Sequence, residues 1–139
     1  MTEETNNIEK VEEKVQEKKS EDKKYITIDD FAKVELKTGK ILEFHLIDGA
    51  DKLYRFLVDV GEKNENGEVV PRTILSGIRE YFPEGEIFIG KNVCVVANLA
   101  PRKMRGFESN GMLLFGGGDS GQLFMISPVG DPEPGTIIR

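Results

Sequence analysis

The stretch Val34-Glu35-Leu36-Lys37-Thr38-Gly39-Lys40-Ile41-Leu42-Glu43-Phe44-His45-Leu46 decides the fold. Val34, Leu36, Leu42, Phe44 and Leu46 share one parity, as on one face of a long strand. Gly39 interrupts its middle, where a bulge or bend lets one strand serve two sheets.

Short strands and turns follow this segment. Residues 49–52 form a turn. Phe56, Val58 and Val60 then alternate with Arg55 and Asp59, as in a strand buried on one face. Residues 62–68, with Asn66-Gly67, read as a hairpin turn, and 69–75 as the return strand. Residues 77–83 leave room for about one helical turn, with 87–89 packed beside it. Residues 92–97 are a fully apolar strand, and 111–115 and 122–126 are two more. Pro128, Pro132, Pro134 and Gly135 make the ending an ordered turn rather than a helix. Before the long strand, Thr27-Ile28-Asp29-Asp30 forms a capping-box start with Asp in place of Glu, opening a short helix through Lys33. This order predicts an all-β chain with an oligonucleotide-binding (OB) fold. It is a five-stranded Greek-key β-barrel with a short helix after the third strand and a C-terminal β extension.

Composition sets the limits. The chain has 139 residues, enough for one domain with a core that needs neither disulfides nor metal. Its single cysteine, Cys94, lies in an apolar run and reads as a small buried hydrophobe, which fits a reducing, cytoplasmic location. No stretch is apolar enough to span a membrane, and the charged N-terminus does not resemble a signal peptide. Residues 1–24 hold six Lys and eight Asp or Glu and read as a charged tail or linker, with the domain over 25–139. The net charge of −6 argues against nucleic-acid binding in bulk, so any such site must be a local basic patch.

One stretch supplies such a patch: Asn98-Leu99-Ala100-Pro101-Arg102-Lys103-Met104-Arg105-Gly106-Phe107-Glu108-Ser109-Asn110-Gly111-Met112. Three cations fall within four residues, against one carboxylate. Pro101 and Gly106 make it a loop between the fourth and fifth strands, which lies at the mouth of the ligand face in this fold. Arg and Lys there meet phosphates, and Asn98, Ser109 and Asn110 donate to phosphate, ribose or base edges. Phe107 and Met112 offer surfaces for stacking. The competing reading is a solvated loop whose Met104, Phe107 and Met112 cap the core.

The same stretch, as Asn98 to Gly106 followed by Glu108-Ser109 and Gly111-Met112, resembles the signature of the tRNA-binding domain of methionyl-tRNA synthetases. Similar domains occur as free-standing structure-specific tRNA-binding proteins and in the endothelial monocyte-activating polypeptide II family. Asp30 to Leu36 with Gly39-Lys40-Ile41, Ala50-Asp51-Lys52-Leu53 and Ser76-Gly77-Ile78 also match. The resemblance implies a non-catalytic domain that binds the outer corner of tRNA by shape. It implies a site at Lys52, Ser76, Asn98, Arg102, Lys103, Arg105, Ser109 and Met112. It further implies homodimers joined through about 119–139, and a methionyl-tRNA synthetase catalytic region as partner in cis or in trans. Some relatives of this barrel act in protein secretion, which keeps a protein-interaction or chaperone-like role as the alternative.

Other patterns carry no chemistry. Gly116-x-Gly118-x-x-Gly121 matches a dinucleotide-binding motif formally, but a strand and Pro128 follow it where a phosphate-binding helix is required. His45 has no neighbouring Cys or acidic cluster at metal-ligand spacing, so neither a metal nor a cofactor is expected. Asp29-Asp30 suits helix capping better than acid–base catalysis.

Overall fold

The computed structural model describes residues 24–139, so the charged segment read over 1–24 lies outside the described residues except for Lys24. The chain divides into two compact units, Met1–Lys33 and Val34–Arg139. In the first, α1 (Ile28–Ala32) is opened by Thr27. The Thr27 hydroxyl accepts the Asp30 N–H at 3.1 Å, and the Asp30 carboxylate accepts the Thr27 N–H at 3.2 Å. The capping box therefore forms with Asp standing in for Glu.

The second unit is nearly all-β, and β1 (Leu36–Leu46) organises it. Its first half, Leu36 to Lys40, pairs with β4 (Asn92–Val96), and its second half, Lys40 to Leu46, pairs with β2 (Tyr54–Asp59). One strand thus serves two neighbours, as the sequence predicts. The irregularity lies between Ile41 and Glu43 rather than at Gly39. It corrects the single-parity reading. The bulged residue, Leu42, is exposed, Ile41 is fully buried, and Phe44 resumes packing against the core, while Leu46 is left outside. A bulge adds one residue and so exchanges the two faces of the strand beyond it. Gly39 answers a different need. A Cβ there would lie 2.8 Å from Val58 Cγ1 and 3.1 Å from Val95 Cγ2.

The main sheet runs β3 (Arg72–Ser76), β2, β1, β4, β7 (Met112–Leu113), with β10 (Ile137–Ile138) beside the start of β1. It nearly closes on itself. Asn110 N–H donates to the Thr73 carbonyl at 2.8 Å, and Leu75 N–H donates to Ser109 Oγ at 3.0 Å, joining the segment before β7 to β3. This nearly closed antiparallel barrel is consistent with the expected OB-like fold. Its interior holds Ile41, Tyr54, Phe56, Val58, Val60, Ile74, Val93, Val95 and Leu113. Each large apolar side chain enclosed in this way contributes about 1.5–3 kcal/mol. Cys94, between Val93 and Val95 on β4, is also buried, and burial pushes its thiol pKa up.

The helical turn sits later than predicted. Over 77–83 the chain makes only a turn, with the Ile78 carbonyl accepting from Tyr81 and Phe82 N–H groups. Pro83 follows, and a 3-10 turn then spans Gly85–Phe88. It delivers Phe88 to the barrel, edge-on to Phe56 and Phe82. The strand read over 111–115 splits between β7, which pairs with β4, and β8 (Phe115–Gly117), which forms a hairpin with β9 (Leu123–Met125). The glycine motif is the turn of that hairpin, with Gly117, Gly118 and Gly121 at positive φ. Thr38 then stitches the C-terminal segment to β1. Its hydroxyl donates to the Glu133 carbonyl at 2.9 Å and accepts the Thr136 N–H at 3.1 Å.

Candidate nucleic-acid interface

The basic stretch is not a loop throughout. Arg102–Met104 (β5) and Phe107–Ser109 (β6) form a β-hairpin, with Arg102 opposite Ser109, Lys103 opposite Glu108 and Met104 opposite Phe107. Its two-residue turn, Arg105-Gly106, has φ values of 52° and 84°. Such turns match the twist of the strands and place both central residues in the left-handed region. Arg105 in that conformation is unusual for a residue other than Gly, Asn or Asp. That is why the hairpin is not evident from residue types.

The hairpin lies on the outer face of β2 and β3 and creates a second, small core there. Ile47, Ala50 and Leu75 are buried, with Leu53, Met104 and Phe107 packed against them. Phe107 and Met104 thus turn inward, in line with the capping alternative for those two residues. Ser109 is also inside, at 7% exposure, with its hydroxyl committed to Leu75 N–H. Three more hydrogen bonds fix the hairpin's root. Ala97 N–H donates to the Glu35 carbonyl, and Asn98 Oδ1 accepts the Glu35 N–H at 2.9 Å. Arg72 Nη1 donates to the Ala97 carbonyl at 2.6 Å while its Nε and Nη2 grip Glu62 at 2.7 and 3.1 Å. That hydrogen-bonded pairing with Arg72 holds the Glu62 carboxyl below the usual range and raises Arg72.

The cations are distributed by the pleat. Arg105 occupies the tip. Arg102 lies on the side of Met104, and Lys103 on the opposite side beside Glu108. The tip faces the β1–β2 loop across an open groove of about 580 Å³, lined by Gly49, Ala50, Asp51, Lys52, Leu53, Met104 and Arg105. Lys52 and Arg105, separate in sequence, therefore share one groove. Ser76 ends β3 opposite Tyr54, near the Lys52 loop, whose carbonyl accepts the Arg79 N–H at 3.2 Å. Asn98 and Met112 stand at the hairpin's root, Met112 opposite Val96 and exposed. Among the described residues, none of Lys52, Arg102, Lys103 and Arg105 is in an ion pair. All four are exposed, so they are available to an external anion.

One participant has no signal in the sequence. Arg55, on the outer face of β2, places its guanidinium 4.7 Å from the centroid of the Phe107 ring. The alternation of β2 assigns Arg55 to the outside, and no local signal shows that a hairpin covers it. Among the described residues, no group of three or more His, Cys, Asp or Glu could hold a metal ion, and no helix is long and apolar enough to cross a membrane.

The family described as "Putative tRNA binding domain" matches residues 36–137, from the first residue of β1 to the first of β10. The chain belongs to this family. Among curated relatives of this tRNA-binding domain, the methionine–tRNA ligase of Myxococcus xanthus (strain DK1622) is 49% identical over 114 residues, 82% of this chain. The chain spans only 15–16% of the length of such ligases. The shared region is a tRNA-binding domain, a non-catalytic part of them. A MetRS-related protein from Pyrococcus horikoshii has a TM-score of 0.73 and 29% identity, covering 84% of this chain and 99% of that chain. The CsaA chaperone protein of Picrophilus torridus has a TM-score of 0.69 and 25% identity, covering 83% and 100%.

Proposed function

We propose that this OB-fold domain binds the outer corner of tRNA by shape, as a non-catalytic domain or subunit serving methionyl-tRNA synthetase in cis or in trans. The observation that carries this reading is the groove holding Lys52 and Arg105 on opposite walls, with Arg102 and Lys103 along the hairpin. Exposed cations that are in no ion pair among the described residues release counterions when they meet phosphates. Asn98, Ser76 and Met112 flank that line at its two ends and add polar and apolar contacts. Ser109 serves the site from beneath, as a support. The acidic remainder of the surface repels nucleic acid elsewhere and confines binding to the patch.

The finer setting is a cytoplasmic homodimer of domains that begin near residue 25. Exposed Phe124, Ile126 and Ile137 in the 119–139 segment supply an apolar surface suited to such a contact. Two faces on one particle raise avidity.

The test is a fluorescence-anisotropy titration with tRNA, unstructured RNA of equal length and duplex DNA at two salt concentrations, with sedimentation of the same samples to read the mass. Wild type is expected to prefer tRNA. Arg102→Ala/Lys103→Ala/Arg105→Ala is expected to lose affinity and about 2–3 units of salt slope. Equal binding of the three nucleic acids, or an unaffected variant, would refute the reading. The likeness to CsaA supports a second reading, a chaperone-like module. Peptide binding that survives the triple substitution, with no preference for tRNA, would favour it.

A further inference from the structure

We infer that Arg55 is a positioning residue for the interface: stacked on Phe107, it fixes the hairpin over the barrel and so sets the preference for folded tRNA over unstructured RNA. The inference rests on the tRNA-binding reading and assigns that site a specificity device.

Arg55 sits at the centre of the β1–β2–β3 face, opposite His45 on one side and Leu75 on the other. Among the described residues it is in no ion pair, and its Nε is buried without a hydrogen-bond acceptor. A guanidinium offers five donors and normally spends them on carboxylates or carbonyls. Here it is held against an aromatic face instead, and enclosing Nε without an acceptor is unfavourable. The contact that compensates is therefore the one with Phe107.

Phe107 is opposite Met104, and these two residues flank the Arg105-Gly106 turn. Fixing the Phe107 ring therefore fixes the height and tilt of Arg105 above the sheet. The other wall of the groove is anchored in the same small core, through Ala50 and Leu53 on either side of Lys52. Arg55 thus acts at the point where the spacing between the two cations is decided. Counterion release requires only that cations be present, whereas recognition of a folded RNA by shape requires a fixed spacing. Loss of the stack should leave the first intact and erode the second.

The experiment measures affinity and salt slope for tRNA and for unstructured RNA with wild type, Arg55→Met, Arg55→Lys, Phe107→Leu and the Arg55→Met/Phe107→Leu double variant. Arg55→Met is expected to weaken tRNA binding about three- to tenfold, the range of a partly desolvated cation–π contact. Its salt slope and its affinity for unstructured RNA should stay unchanged. Arg55→Lys keeps a cation over the ring and should recover most of the preference. Phe107→Leu should reproduce the loss, with the double variant no worse than the weaker single one. A slope reduced by about one for both RNAs would make Arg55 a phosphate contact and overturn the inference. Unchanged tRNA preference in Arg55→Met or Phe107→Leu would overturn it too. If Arg55→Met does not fold, Phe107→Leu and Arg55→Lys carry the same comparison. Absence of a tRNA preference in wild type would instead refute the parent reading, which the wild-type arm reads separately.

Discussion

Ser109 Oγ accepts the backbone N–H of Leu75 at 3.0 Å, and both residues are buried where β6 crosses the outside of β3. A strand edge here is sealed by a side chain rather than by another strand's carbonyl. Ser109, which the resemblance implies for the binding site, thereby acts as the peg of the hairpin that carries the cations.

Ser109→Ala is expected to leave the Leu75 N–H without its acceptor and to destabilise the domain by about 1–3 kcal/mol. Urea unfolding followed by circular dichroism should show a lower midpoint at unchanged slope. An unchanged midpoint would mean that the hairpin is held without this bond.

The Glu62–Arg72 pair gives the root of the hairpin a pH dependence. Hydrogen bonding from Arg72 lowers the Glu62 pKa in the folded state, against a smaller opposing effect of burial. A depressed folded pKa means that the pair's stabilisation is present above the ordinary glutamate range, about pH 4.3, and is lost as pH falls through the lower folded value. Glu62→Gln should therefore melt below wild type at pH 7, and the gap should narrow in acid. Glu62 is 45% exposed, so solvent screens the pair and the gap should be small. Thermal melts at pH 7 and in the acid range check this. A gap that is constant with pH would contradict it.

Gly39→Ala tests the crossing of β1 over the core. Its methyl would meet Val58 Cγ1 at 2.8 Å, Val95 Cγ2 at 3.1 Å and the Asp59 carbonyl at 3.3 Å, all on stiff neighbours. Overpacking of this kind costs about 1–3 kcal/mol. The substitution should lower the unfolding midpoint while the salt slope of tRNA binding stays at the wild-type value, because no cation is touched. Unchanged stability would show that β1 and β2 can separate at no cost.

The parts of the fold legible in the sequence are those set by local periodicity. Phe56, Val58 and Val60 alternate into the core as read, the run at Asn92–Val96 is the buried β4, and Thr27 caps α1. Single-parity counting fails at Leu42 because the bulge there is imposed by pairing with β2, whose register is not visible locally. The hairpin is missed because its turn uses Arg105 in a left-handed conformation, and residue type carries no signal for it. At the site, the cations were identifiable by their clustering. An inward Phe107 is one of the two readings the sequence allows, whereas its contact with Arg55 and the burial of Ser109 against Leu75 are not legible, because those partners on β2 and β3 are remote in sequence.

The stitching of the C-terminal segment to β1 has a consequence for how the chain acquires its form during synthesis. Thr38 and Thr136 bond across 98 positions, and Leu36 pairs with Ile138. The earliest strand of the barrel thus emerges with its flank bare and must wait for nearly the whole domain to be made. Contacts this distant in sequence are slow to form, and an unpaired edge is the place where nascent chains associate wrongly. Lys37 and Lys40, two half-buried cations on that strand, are the kind of residue that keeps a waiting strand from joining another copy.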